Sequence, residues 1–100
     1  MSSEYKLSQL CAQAHEALAF ALFTSADEVL RDLLVLSVSP GRGAGRLRVY
    51  VSAETESIED LDYVVDKLEH AKGYLREELA RWTQRKRVPD LEFVAMAWAG

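Results

Sequence analysis

SIEDLDYVVDKLEHAKGYLREELARWTQRKR, residues Ser57 to Arg87, is the stretch that decides the fold. Ile58, Leu61, Val64, Val65, Leu68, Ala71, Leu75, Leu79 and Trp82 recur at steps of three, four and seven. That spacing puts them on one face of an α-helix. Ser57 is placed to cap the start. Asp60, three residues on, sets a carboxylate near the unpaired amides and the positive end of the helix dipole. The run ends before Val88-Pro89, because proline disfavours the helical region in the residue before it. Gly73 interrupts it, at a cost of about 1 kcal/mol relative to alanine. Two readings stay open. Gly73 is tolerated in one long helix, or two helices meet in a bend at Ala71–Gly73.

Charge changes sign at the same point. Glu54 to Glu69 holds seven acids and one base; His70 to Arg87 holds six bases and two acids. The net charge of −4 for the whole chain conceals this dipole.

Upstream, Leu7 to Phe23 reads as a helix with an apolar stripe of Leu7, Leu10, Cys11, Ala14, Leu18, Ala21 and Leu22. Lys6, Gln9, Gln13 and Glu16 take the other side. Thr24 to Glu28 breaks that helix. Ser25 and Glu28 have capping-box spacing, and a short turn through Val29–Arg31 follows. Leu33 to Val38 reads as a strand. Its near-continuous apolar run predicts a central position or cover on both faces. Ser39 to Gly45 holds three glycines and a proline, a loop composition. Arg46 to Ser52 alternates cleanly, with Leu47, Val49 and Val51 on one side and Arg46, Arg48 and Tyr50 on the other. The short loop makes these two strands an antiparallel hairpin. Leu91 to Trp98 reads as a third strand, whose place in the sheet the sequence leaves open.

The sum is an α+β chain with three helices on one side of a three-stranded sheet. Its 100 residues and 49% hydrophobic content suit one domain with an adequate core. We expect that domain to span residues 4–98. No apolar run approaches the ~18 residues of a membrane span. The start lacks the basic and apolar blocks of a signal peptide. A single cysteine forbids an internal disulfide and fits a reducing, cytoplasmic compartment.

Catalytic chemistry finds no footing. Cys11 and His15 are four apart on one helix, but no second pair completes a metal site, and Cys11 reads as core. No nucleophile sits beside a base and an orienting group. Glu54 with Glu56, and Asp60 with Asp62, read as capping and solubility. Gly41 to Gly45 joins two strands and so is no phosphate loop of the strand-to-helix kind. Trp82 and Trp98 are expected in the core or at its rim. The expectation is a non-enzyme with no metal and no cofactor.

One family shares these landmarks. Ala71-Lys72-Gly73, then Tyr74-Leu75-Arg76 and Leu79-Ala80, then Val88-Pro89-Asp90-Leu91-Glu92-Phe93, resemble ribosome-binding factor A. That family has a KH-like domain of type II topology, with an Ala-x-Gly kink between two helices. Arg48-Val49-Tyr50-Val51-Ser52 is similar to its second strand. The family's first helix usually carries arginines, whereas only Lys6 is basic here. The resemblance implies a KH-like α+β fold ordered helix, strand, strand, helix, kink, helix, strand, with a mixed sheet. It implies a ribosome-assembly factor, a monomer that binds the small ribosomal subunit and its rRNA during late maturation. On that reading the RNA contacts are Ala71, Lys72, Gly73, Arg76, Arg81, Arg85, Lys86 and Arg87. Arg42, Arg46 and Arg48 form a second basic edge. The kink exposes amides that suit a phosphate, and Gly73 lets a sugar-phosphate chain come close. The alternative is a protein-interaction domain of the same fold without RNA binding, in which the arginines only keep a sheet edge soluble.

Overall fold

The computed structural model describes residues 3–43, 45–55, 57–84 and 87–98, with side chains from Lys6 onward. The elements are α1 (Ser3–Phe23), α2 (Glu28–Arg31), β1 (Leu34–Pro40), β2 (Arg46–Ala53), α3 (Ile58–His70), α4 (Lys72–Thr83) and β3 (Asp90–Ala97). The sheet order is β1-β2-β3, with β1 antiparallel and β3 parallel to the central β2. A parallel neighbour needs a crossover, and the helical pair α3–α4 supplies it.

Alternation in β2 sets the two faces of the sheet. Leu47, Val49 and Val51 are at most 1% exposed and meet the helices. Leu91, Phe93 and Ala95 of β3 join them. The helices return Ala14, Ala17, Leu18, Ala21, Leu68, Leu75 and Leu79 to the same core. The other face of the sheet, with Arg48, Tyr50 and Glu92, carries no helix among the described residues.

Three expectations need correction. The apolar run Leu33–Val38 predicts a covered strand, yet β1 is an edge strand with Leu34 59% and Leu36 48% exposed. A bulge between Val35 and Ser37 shifts the register. Val35 and Val38 then pack on the core while Leu34 and Leu36 stay outside. A continuous apolar run carries no period and cannot report this. The second correction concerns the end of the long helical run. It stops at Thr83, not at the proline, because Gln84 takes a left-handed conformation (φ 53°, ψ 35°) and donates its N–H to Ala80. The third is the cap of α2, a helix that the sequence shows only as a short turn. Asp27, not Ser25, accepts the amides of Val29 (2.9 Å) and Leu30 (3.3 Å), while Ser25 accepts from Asp27. Cys11 is core as expected, and burial pushes its thiol pKa up. Both tryptophans are exposed rim residues, with Trp82 resting 5.9 Å from the Phe20 ring.

Asp27 also reaches across to α3, accepting from Lys67 Nζ at 2.6 Å. That bond, with the two backbone donors, holds the Asp27 carboxyl below its usual pKa; the same bond raises Lys67. A carboxyl depressed in the folded state stabilises above its unfolded pKa of about 3.9 and loses that contribution as pH falls through the folded value. Lys67, being raised, keeps its contribution until pH climbs through its own folded value. Asp27→Asn retains a capping side chain and removes the charge. Urea midpoints of the two proteins should differ at pH 6 and converge as pH falls through the folded-state pKa of Asp27. A gap independent of pH would show that the pair contributes through packing alone.

Candidate nucleic-acid interface

The helical run breaks where Gly73 suggested a bend. Ala71, at φ −90° and ψ 1°, closes α3 and opens α4. Its N–H is shared between the carbonyls of Lys67 (3.0 Å) and Leu68 (3.1 Å), and its own carbonyl accepts from Leu75 (2.9 Å). No side chain caps α4. The amides of Lys72, Gly73 and Tyr74 form the first turn of this uncapped helix and lie outside its own i→i−4 ladder. A Cβ built on Gly73 meets nothing within 4 Å, and its φ lies outside the left-handed region. The fold itself does not require glycine there.

The cations around this opening are differently committed. Lys72 Nζ lies 2.9 Å from Glu69 and 3.8 Å from Asp90, and 6.0 Å from the centre of the Phe93 ring. Two carboxylates thus compensate its charge. Arg76 turns inward, donating from Nε to the Pro89 carbonyl (3.2 Å) and from Nη2 to that of Val88 (2.9 Å). It ties α4 to the segment that leads into β3. Arg81 stands out from α4 with its side chain 73% exposed, 3.0 Å from Glu78. Arg87 is exposed before Val88, and Arg42 is exposed on the β1–β2 turn. Arg85 and Lys86 lie outside the described residues.

On the open face of the sheet, Arg46 (3.6 Å) and Arg48 (3.3 Å) share Glu92. The neighbouring Tyr50 hydroxyl and the hydrogen bonds to Glu92, both 3.3 Å, hold the Arg48 pKa above the usual value. Sequence reading missed this carboxylate. The parallel register of β2 and β3 sets Arg48 opposite Glu92, and only that register gives the signal.

The ends of several elements meet near the opening. Lys72 reaches Asp90, the first residue of β3, and Asp90 donates its N–H to Gly45 at 2.8 Å. Beside them Arg46, Arg76 and Arg87 line one cleft with Leu7, Leu10 and Leu47.

The crystal structure of ribosome-binding factor A from Thermus thermophilus superposes on this structure with a TM-score of 0.74. It is 31% identical over 89% of this chain and 94% of that one. The chain belongs to the ribosome-binding factor A family. A homology model of the Thermus thermophilus factor, fitted into a cryo-EM map of a 30S–RbfA complex, matches with a TM-score of 0.65. Its identity is 33%, over 84% of this chain and 88% of that one. A Thermotoga maritima protein solved by NMR, 21% identical over 94% of this chain and 90% of that one, has the same fold at a TM-score of 0.71. No protein-family model and no curated protein matches the sequence.

The chain has the KH-like α+β architecture that the motifs implied, with the mixed three-stranded sheet. The side of α3 facing solvent is acidic, with Glu59, Asp62, Asp66 and Glu69 exposed. On the same flank Asp27, Asp66, Lys67 and His70 line a hollow, and the His70 ring lies 2.8 Å from the Asp66 carbonyl. Among the described residues no group of three or more histidine, cysteine or acidic side chains is placed to hold a metal. None of the described helices is long and apolar enough to cross a membrane.

Proposed function

We propose that this protein is a ribosome-assembly factor that binds the rRNA of the small subunit during its late maturation. It acts by binding and not by catalysis, as a cytoplasmic monomer. The observation that carries this reading is the uncapped start of α4 at Lys72–Tyr74. Family membership and a 33% identical neighbour fitted into a 30S complex map support it. The amides of an uncapped first turn and the helix dipole offer a phosphate a site at that start. Arg42, Arg81 and Arg87, all exposed, add contacts to the RNA backbone, and such contacts position RNA without reading its sequence. The acidic side of α3 repels the polyanion and so orients the domain on it.

A second reading keeps the fold and drops the RNA. The carboxylates that compensate Lys72, Arg46 and Arg48 favour it. Co-sedimentation separates the two. Binding through phosphates predicts pelleting with free small subunits in about 50 mM salt and marked loss near 200 mM. Pelleting equal at both salts supports the protein-interaction reading.

Gly73→Leu tests the opening itself. The glycine is exposed and its surroundings are empty, so folding should be unchanged or slightly stabilised, by up to about 1 kcal/mol. Affinity for an rRNA fragment in filter binding should fall about tenfold, roughly 1.4 kcal/mol. Unchanged affinity would remove the α4 start from the interface.

A further inference from the structure

We propose that the cleft between the first turns of α1, the start of β2 and the segment before β3 receives one unstacked nucleotide of the bound RNA. This rests on the RNA-binding reading above and adds a base subsite to it. The cleft holds about 610 Å³, within the ≈ 300–1,000 Å³ of small-ligand sites. Its character is double. Leu7, Val88 and Pro89 make apolar walls, and Leu10 (6% exposed) and Leu47 (1%) make the floor. Arg46, Arg76 and Arg87 are the charged lining residues, and no carboxylate is among them. A ligand that satisfies both parts is a flat, weakly polar ring attached to an anion, and a nucleotide is that combination.

The guanidinium groups are unequal. Arg76 is fixed by its bonds to Val88 and Pro89, so little side-chain entropy is lost when it meets a ligand. Those bonds use Nε and Nη2, which leaves Nη1 of the fork for an anion. Arg46 is the adaptable one. Its side chain is 53% exposed and its contact with Glu92, at 3.6 Å, is longer than the one Arg48 makes with the same carboxylate. Turning it toward a phosphate leaves Glu92 paired with Arg48. Guanidinium planes also stack on unstacked bases. Of the hollows beside α3, one mixes Asp27 and Asp66 with Lys67 and His70, and the other is lined by Asp32, Glu54 and Asp60, which repel a phosphate.

The test is an NMR titration of the full chain at fixed ionic strength. The probes are uridine 5′-monophosphate, uridine, inorganic phosphate and N-acetyl-aspartate. The monophosphate should shift the amides of Gly45, Arg46 and Arg87 and the Arg76 Nε–H, and should bind about tenfold tighter than the other three. Phosphate binding as tightly as the monophosphate overturns the base subsite. N-acetyl-aspartate binding equally well overturns it in favour of an acidic protein segment. Leu7→Trp fills the cleft from a 38% exposed position, with thermal melting as the check on folding. This variant should lose the monophosphate shifts and bind an rRNA fragment about tenfold more weakly. Full rRNA affinity in a folded Leu7→Trp protein overturns the subsite and leaves the RNA reading standing. If wild-type protein binds no rRNA at low salt, the RNA reading fails, and this inference with it.

Discussion

Leu68→Ala should lower the unfolding free energy by about 3 kcal/mol, within the 2–5 kcal/mol span of buried leucine truncations. Leu68 is fully buried, with 0% exposure, in the core formed by the helices and the sheet. It lies three residues before Ala71 and its carbonyl accepts the Ala71 amide. The cavity would therefore open directly beneath the break between α3 and α4. Domains of about 100 residues have some 5–15 kcal/mol in total, so this one substitution removes a large share. At about 4–8 °C per kcal/mol, the melting temperature should drop by more than about 10 °C. Ile58→Ala, at a 76% exposed position on the same helix, should change stability by less than about 0.5 kcal/mol. Urea unfolding of the three proteins checks both numbers. A loss below about 1 kcal/mol at Leu68 would mean that α3 and α4 re-close over the site.

Reversing Arg85, Lys86 and Arg87 to glutamate should weaken rRNA binding by at least about tenfold and flatten its salt dependence. Each lost phosphate contact lowers the log–log slope by roughly one. A full loss at all three positions would lower it by two to three. The measurement is filter binding of an rRNA fragment across salt concentrations, with circular dichroism to confirm folding. Arg87 is exposed, and Arg85 and Lys86 lie outside the described residues. Weaker binding with an unchanged slope would place the cluster away from the phosphates.

Much of the fold was legible because periodicity is a local signal. The helical faces through Leu18 and Leu68 and the alternation through Leu47, Val49 and Val51 match the buried sets, except that Ile58 and Trp82, expected on the Leu68 face, are exposed. The bend was one of the two readings that Gly73 allowed, and the structure takes it. The edge position of β1 was not, because Leu34 and Leu36 are as apolar as Val35 and Val38 and only the bulge separates them. The stop at Thr83 was hidden because Gln84 in a left-handed conformation leaves little trace in sequence. Among the site residues, the Ala71–Gly73 break was visible as one of two alternatives. The commitments of Lys72, Arg76, Arg46 and Arg48 were not, since each partner lies in another element or is a backbone carbonyl.

The sequence by itself determined which segments become helix or strand, where the long helical run could break and how charge divides on either side of that point. These depend on neighbours within a few residues. Only the tertiary structure decided that β3 lies parallel to β2. That register sets Glu92 beside two arginines and gathers Arg46, Arg76 and Arg87 around one apolar hollow. The physical reason is distance along the chain: 44 residues separate Arg48 from Glu92, and no local pattern records a contact made by folding alone.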